Sequence, residues 1–288
     1  MHTARLLGFA AAAASTTLAS PTLESPVETR SCNAGFKNIV FNSGVNNEPD
    51  INGRFRTLQS YGVSSWIGFT LYDAGGGDAN LIANQQRMLL TANDVQAAVD
   101  IVTGPNPPKY LQLLNEPDAS FFGQPVLTPQ QAADALQPLL RASTSTQYLS
   151  PAPAFPETNW LPDFFAACNC ADQFPVILAH IYRANPNDAI SAIQTVMNQF
   201  PGKTIWITEI SPASSPDQGC TLDQVGVINW MNTVIGWASQ QPAIERVFWN
   251  SGEYGTLYSD DPNKCNPSLT YTDGTATPLL QAYSSICA

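Results

Sequence analysis

Tyr110-Leu111-Gln112-Leu113-Leu114-Asn115-Glu116-Pro117-Asp118 decides how the chain is read. A short apolar run, long enough for one buried strand, ends in Asn-Glu-Pro-Asp. Pro117 disfavours helical geometry at Glu116, so the strand breaks its pattern there. A strand that delivers a carboxylate at its last position is how a β/α barrel presents chemistry at its C-terminal mouth. The same design recurs downstream. Residues 176–181 run into His180-Ile181-Tyr182, residues 204–208 run into Glu209, and residues 246–249 end in Trp249-Asn250. Further strand candidates are 38–41, 64–69, 80–89 and 147–150. Helical stretches fall between them, at 129–143, 187–200 and 222–240. Thr128 with Pro129 makes a good helix start, and Thr221 is a plausible cap for the stretch at 222. Eight strands in near alternation with helices predict an α/β fold, a single-domain (β/α)8 TIM barrel. An open dinucleotide-binding sheet would need G-x-G-x-x-G after its first strand, and none occurs. Gly75-Gly76-Gly77 has no accompanying Lys and reads as a loop.

Working outward, the ends of the chain set its compartment. MHTAR followed by LLGFAAAAA reads as a signal peptide over residues 1–19, too short to span a bilayer. Residues 20–31, rich in Pro, Ser, Thr and Glu, read as a propeptide or linker. Residues 32–288 then hold the barrel, and these 257 residues match the usual size of about 250. No other stretch is apolar enough for a membrane anchor, so the expectation is a secreted, monomeric protein. Six cysteines, all beyond residue 31, argue for disulfides with connectivity open. Cys32 is expected to pair with Cys287, because a closed barrel brings its first and last elements together. Cys168-x-Cys170 has no second pair or nearby His to suggest a metal. No N-glycosylation sequon occurs.

Composition excludes several classes of function. Hydrophobic residues at 44% make disorder untenable as the main state. Twelve Lys and Arg against 23 Asp and Glu give a net charge of −11, so no cationic face for nucleic acid is expected. Of two histidines, one is His2, which argues against a His-rich zinc site. A serine hydrolase would show a G-x-S-x-G elbow, which is absent.

The remaining candidates lie at strand ends. Glu116 and Glu209 close the fourth and seventh strands, which face each other across a barrel mouth. Two carboxyl groups meeting there can divide acid and nucleophile roles, and at about 5–5.5 Å that geometry performs retaining glycoside hydrolysis. For either Glu alone, a helix cap or a pairing with Arg is the equal alternative. His180 and Tyr182 share a parity and should face the same way. Tyr182 is then placed to hydrogen-bond Glu209, and His180 to contact sugar hydroxyls. Asn115 can join Glu116 only if the strand breaks parity. Aromatic side chains suit the apolar faces of sugar rings. Trp249 is the first candidate for that role and Phe121-Phe122 the second, with Trp66, Tyr72, Trp160, Tyr254 and Tyr258 also near strand ends. No metal or organic cofactor is expected.

The order of motifs resembles glycoside hydrolase family 128. It runs Leu114-Asn115-Glu116-Pro117-Asp118, Leu127-Thr128-Pro129-Gln130-Gln131-Ala132-Ala133, Ser150-Pro151-Ala152, His180-Ile181-Tyr182, Trp206-Ile207-Thr208-Glu209, Phe248-Trp249, then Asp273-Gly274 and Thr277-Pro278. The resemblance covers residues 36–287 and is similar to the fungal group around alkali-sensitive linkage protein. It implies a (β/α)8 barrel acting on β-1,3-glucan. It also implies Glu116 as general acid/base, Glu209 as nucleophile and Asn115 near the 2-hydroxyl of the reacting sugar. The rival expectation is a secreted β-glucan-binding or oligosaccharide-binding protein with weak or no hydrolysis.

Overall fold

A computed structural model describes residues 32–41, 51–73, 78–121, 123–214, 220–250 and 265–287. The expected signal peptide and linker, the Gly75 loop, Phe122, Tyr254 and Tyr258 lie outside the described residues. Eight strands alternate with helices: β1 (Lys37–Phe41), α1 (Ile51–Ser60), β2 (Trp66–Gly68), α2 (Ala79–Ala83), β3 (Gln85–Leu89), α3 (Val95–Val102), β4 (Tyr110–Asn115), α4 (Pro129–Leu140), β5 (Gln147–Ala152), α5 (Trp160–Cys168), β6 (Val176–Tyr182), α6 (Pro186–Gln199), β7 (Thr204–Ser211), α7 (Gln224–Ala238), β8 (Ile244–Asn250) and α8 (Pro278–Ser285). Their order in one parallel sheet is β5-β4-β3-β2-β1-β8-β7-β6. Pairing of β1 with β8 wraps the first strand onto the last. β5 and β6 lie side by side at the remaining seam, where the Leu178 N–H donates to the Ser150 hydroxyl at 2.9 Å. The expected (β/α)8 barrel is the fold.

Strand alternation builds two apolar layers. Val40, Ile67, Met88, Leu149, Leu178, Trp206 and Phe248 fill the barrel interior. Ile39, Trp66, Leu111, Ile177, Ile207 and Trp249 point the other way, onto helix residues such as Phe55, Leu136, Ile193, Trp230 and Tyr283. Period-2 side-chain placement makes both faces of most strands apolar, as expected for a buried parallel sheet, while Asn38 and Gln112 are buried polar exceptions.

Local signals decide the helix starts. Thr128 caps α4 by accepting from the Gln131 N–H, while the Gln131 side chain accepts from the Thr128 N–H, and Pro129 opens the helix. Two expectations need correction. The stretch 80–89 is not one strand. The Asp78 carboxylate accepts from the Asn80 and Leu81 N–H groups and starts α2, and the strand begins only at Gln85. The cap before α7 is Asp223, not Thr221, since Asp223 accepts from the Gly226 N–H at 2.7 Å.

The ends of the described chain are tied together. Cys32 and Cys287 form the expected disulfide, with Cα atoms 5.1 Å apart. Cys168 pairs with Cys170 and Cys220 with Cys265. Beside the first of these, Lys37 Nζ donates to the Ser284 and Ile286 carbonyls, and Tyr283 Oη accepts from the Asn38 N–H and donates to its carbonyl. Replacing both Cys32 and Cys287 by Ser is expected to remove about 2–5 kcal/mol of stability. In thermal unfolding the midpoint should fall by roughly 5–15 °C. An unchanged midpoint would show that the Lys37 and Tyr283 contacts alone hold the ends.

Candidate active site

The site lies where β4, β6, β7 and β8 run out at the C-terminal mouth. Two of these strands break parity to build it. In β7, Trp206 points into the barrel while Ile205 and Ile207 point out. Strict alternation would send Glu209 outward. The register against β6 and β8 slips at Thr208, Ile210 takes the outer position, and Glu209 turns inside. In β4 the register against β5 shifts on both sides of Leu113. Leu114 and Glu116 then adopt φ of 45° and 43°, in the left-handed region. Such backbone costs of order 1–3 kcal/mol per residue and persists only where surroundings over-determine it. Here the Glu116 N–H donates to the Ala152 carbonyl at 2.9 Å, and the Leu127 N–H donates to the Pro117 carbonyl at 2.7 Å. The Asp118 carboxylate accepts from the Ala154 and Phe155 N–H groups at 2.8 and 3.0 Å.

Four expected residues meet as a result. One oxygen of Glu116, one oxygen of Glu209 and one nitrogen of His180 all lie within 4.8 Å of one another. All three side chains are buried. His180 Nδ1 is 3.0 Å from Glu116 Oε1. Its Nε2 is 3.5 Å from Glu209 Oε1. Tyr182 Oη donates to Glu209 Oε2, and Asn250 Nδ2 lies 2.5 Å from Tyr182 Oη and 3.5 Å from Glu209 Oε2. Leu178, His180 and Tyr182 keep one parity, facing inward while Ile177, Ala179 and Ile181 face outward.

Burial sets the electrostatics. It pushes the Glu209 carboxyl up to about 7, the negative charge of Glu116 adds to that, and His180, Tyr182 and Asn250 act in the opposite sense. Burial also lowers the His180 imidazole, so its neutral form is favoured. Tyr182 rises well above the ordinary phenol range, first through burial and then through the charge of Glu209. Glu116, His180 and Glu209 also have the donor set of a divalent-metal site. As a proton-handling site, the same group has two carboxyls in one mouth with different partners, which is what acid/base and nucleophilic chemistry requires.

Asn115 is buried beside Glu116, and its Oδ1 has no hydrogen-bond partner among the described residues. The residue also lines a cavity of about 90 Å³ with Leu90, Thr91 and Pro117. Phe121 is partly buried and its ring centroid lies 6.1 Å from that of Phe155, which is 41% exposed.

Trp249 corrects an expectation. It is fully buried, its indole N–H donates to the Pro267 carbonyl, and its ring packs on Trp230 and Tyr283. On β8 it has outward parity, so no ring face is left for a sugar. The inward neighbour is Asn250, which parity counting from Phe248 would have found. His180 also differs from the expected sugar contact, since both ring nitrogens face carboxylates and the residue has no exposed surface. Trp66 and Trp160 donate to the Leu81 and Leu127 carbonyls as packing residues, and Tyr72 is exposed. Sequence reading also missed Asp118 as the brace between the β4 and β5 loops, and Phe155 as an exposed aromatic.

Comparison with known proteins bears on the fold and the family. No curated protein matches the chain in sequence. Among solved structures, the chain is similar to a glycoside hydrolase family 128 (subgroup II) endo-β-1,3-glucanase from Sorangium cellulosum, at 22% identity, TM-score 0.64, covering 89% of this chain and 98% of the other. It is similar to a subgroup V exo-β-1,3-glucanase from Cryptococcus neoformans, at 19% identity, TM-score 0.67, with coverage of 87% and 99%. It is also similar to a subgroup VII oligosaccharide-binding protein from Trichoderma gamsii, at 17% identity, TM-score 0.61, with coverage of 87% and 93%. These neighbours carry the family name that the order of motifs resembles. A family model described as glycosyl hydrolase catalytic core matches residues 73–283. With that model spanning most of the chain, and two carboxyl groups meeting at the mouth of the barrel, the chain belongs to the glycosyl hydrolase catalytic core family.

Proposed function

We propose that the protein is a secreted, monomeric retaining glycoside hydrolase that cleaves β-1,3-glucan by double displacement. The observation that carries this reading is the approach of Glu116 and Glu209 to within 4.8 Å of each other, through one oxygen each. That closeness fits the retaining separation of about 5–5.5 Å better than the about 6.5–9.5 Å of an inverting pair. The β-1,3-glucan substrate is supported by the neighbours named as β-1,3-glucanases. Three disulfides fit an oxidising compartment, with residues 1–19 as the signal and 20–31 as a propeptide or linker. Among the described residues no helix is long and apolar enough to cross a membrane.

Hydrogen bonding supports the division of roles. Glu209 Oε2 is approached by Tyr182 Oη and Asn250 Nδ2, groups that favour the anion, so Glu209 is the nucleophile. It attacks the anomeric carbon while Glu116 gives its proton to the leaving glycosidic oxygen. The C–O bond to the aglycone breaks as the glycosyl ester forms. Glu116 then takes a proton from water, and the resulting hydroxide displaces Glu209. Asn115, with its free Oδ1, receives the 2-hydroxyl of the reacting sugar, and Phe121 with Phe155 offers an aromatic surface at the loop after β4.

Glu209→Ala and Glu116→Gln are each expected to lower kcat on laminarin at least about 100-fold. Near wild-type turnover in either variant would overturn the assignment. Proton NMR in early turnover should show the β-anomer of the new reducing end first, and an initial α-anomer would mean inversion. If the wild type binds laminari-oligosaccharides and releases no reducing sugar, the protein is a binder rather than an enzyme.

A pH test follows from the hydrogen bond to Glu209. Glu209 attacks only when ionised, so kcat/KM rises as pH climbs through its titration at about 7. Tyr182→Phe deletes a donor that favours the anion, so the acidic limb should move to higher pH. Loss of one hydrogen bond to a charged group, worth about 1.5–3 kcal/mol, should lower kcat/KM roughly 10- to 100-fold. A limb that stays in place at an unchanged rate would show that Tyr182 does not serve Glu209.

A further inference from the structure

His180 stands between the two carboxyl groups and faces both. Its Nδ1 is at hydrogen-bond distance from Glu116 Oε1, 3.0 Å. Its Nε2 is 3.5 Å from Glu209 Oε1, and neither of these two buried atoms has a hydrogen-bond partner among the described residues. The charged and titratable groups around the ring are Glu116 and Asp118 from the end of β4, Glu209 from β7, and the Tyr182 phenol from its own strand. A neutral imidazole carries one N–H and one bare nitrogen. It can therefore donate to one of the two carboxyl groups, not both.

The two choices differ chemically. With the hydrogen on Nε2, Nδ1 can meet Glu116 Oε1 favourably only if Oε1 carries the Glu116 proton. That proton would then point at the imidazole instead of at a glycosidic oxygen. An Nε2–H would also place a donor on Glu209 Oε1 and hold back its lone pairs. With the hydrogen on Nδ1, Glu116 Oε1 is held as an acceptor and its proton belongs on the other oxygen. Glu209 Oε1 is left without a donor while Oε2 is tied to Tyr182.

We propose that His180 is a positioning residue, a neutral imidazole with its hydrogen on Nδ1, which orients Glu116 as acid/base and leaves Glu209 Oε1 as the attacking oxygen. The inference rests on the roles given to Glu116 and Glu209 above. It separates His180 from the sugar and makes it act through the acid/base.

The test uses leaving groups that need the acid and leaving groups that do not. On laminarihexaose, His180→Ala should lose about 100-fold in kcat with KM little changed, the scale of a lost general acid. On a 2,4-dinitrophenyl β-laminaribioside, whose phenolate leaves unaided, the first step should stay within about threefold of wild type. His180→Asn, with an amide N–H directed to Glu116, should recover part of the loss on laminarihexaose. Equal losses on both substrates would overturn the proposal, because His180 would then act on Glu209 or on the sugar. A second measurement needs no turnover. The chain has two histidines, so the ¹⁵N spectrum of the wild type assigns His180 by its disappearance in His180→Asn. An Nδ1–H tautomer that does not titrate through the neutral range is expected. An Nε2–H tautomer or an imidazolium would overturn the proposal. Failure of the wild type to cleave either substrate would reject the glucanase reading alone, and the tautomer would still decide the state of His180.

Discussion

Two carboxyl groups sit in one water-poor mouth, and much of the surrounding structure answers that fact. A buried carboxylate is tolerated only where donors meet it or where it holds its proton. Tyr182 and Asn250 supply donors to one oxygen of Glu209, and His180 supplies a contact to Glu116. The partners come from β6 and β8, so the site exists only because a closed sheet puts these strands on either side of β7. Fold and chemistry are coupled through strand order.

The second requirement is orientation. Period-2 alternation serves the packing of the barrel, since Trp206 and Phe248 fill the inside while Ile207 and Trp249 meet the helices. The same alternation would turn Glu209 away from the mouth. The slip at Thr208 and the left-handed backbone at Leu114 and Glu116 reverse it for the last residues alone. Asp118 fixes the strained segment by binding two N–H groups of the next strand's loop. The lower barrel thus keeps regular packing, and irregularity is confined to where side chains must converge.

Much of this was legible in the sequence, because the cues were local. Apolar runs that end in Glu116, His180 and Glu209 mark strand ends, and Thr128-Pro129 marks a helix start through backbone chemistry alone. The shared facing of His180 and Tyr182 follows from counting by two. Counting by two also explains the failures. Applied within β8 it puts Trp249 outside and Asn250 inside, yet a large aromatic ring at a strand end looks like a sugar platform until its neighbours are known. Burial of Trp249 against Trp230 and Tyr283 is a tertiary fact. The slip at Thr208 is likewise set by pairing with two other strands. The reading of 80–89 as one strand failed because two hydrogen bonds to Asp78 outweigh a weak β pattern.

The link between Cys32 and Cys287 has a topological consequence. Backbone and disulfide together make residues 32–287 a covalent ring, so one protease cut in a surface loop opens the ring without releasing a fragment. Nicked molecules keep every strand tethered to its neighbours at high local concentration. New termini can also be opened at such a loop, because the barrel needs its order of strands around the circle and not any particular starting point.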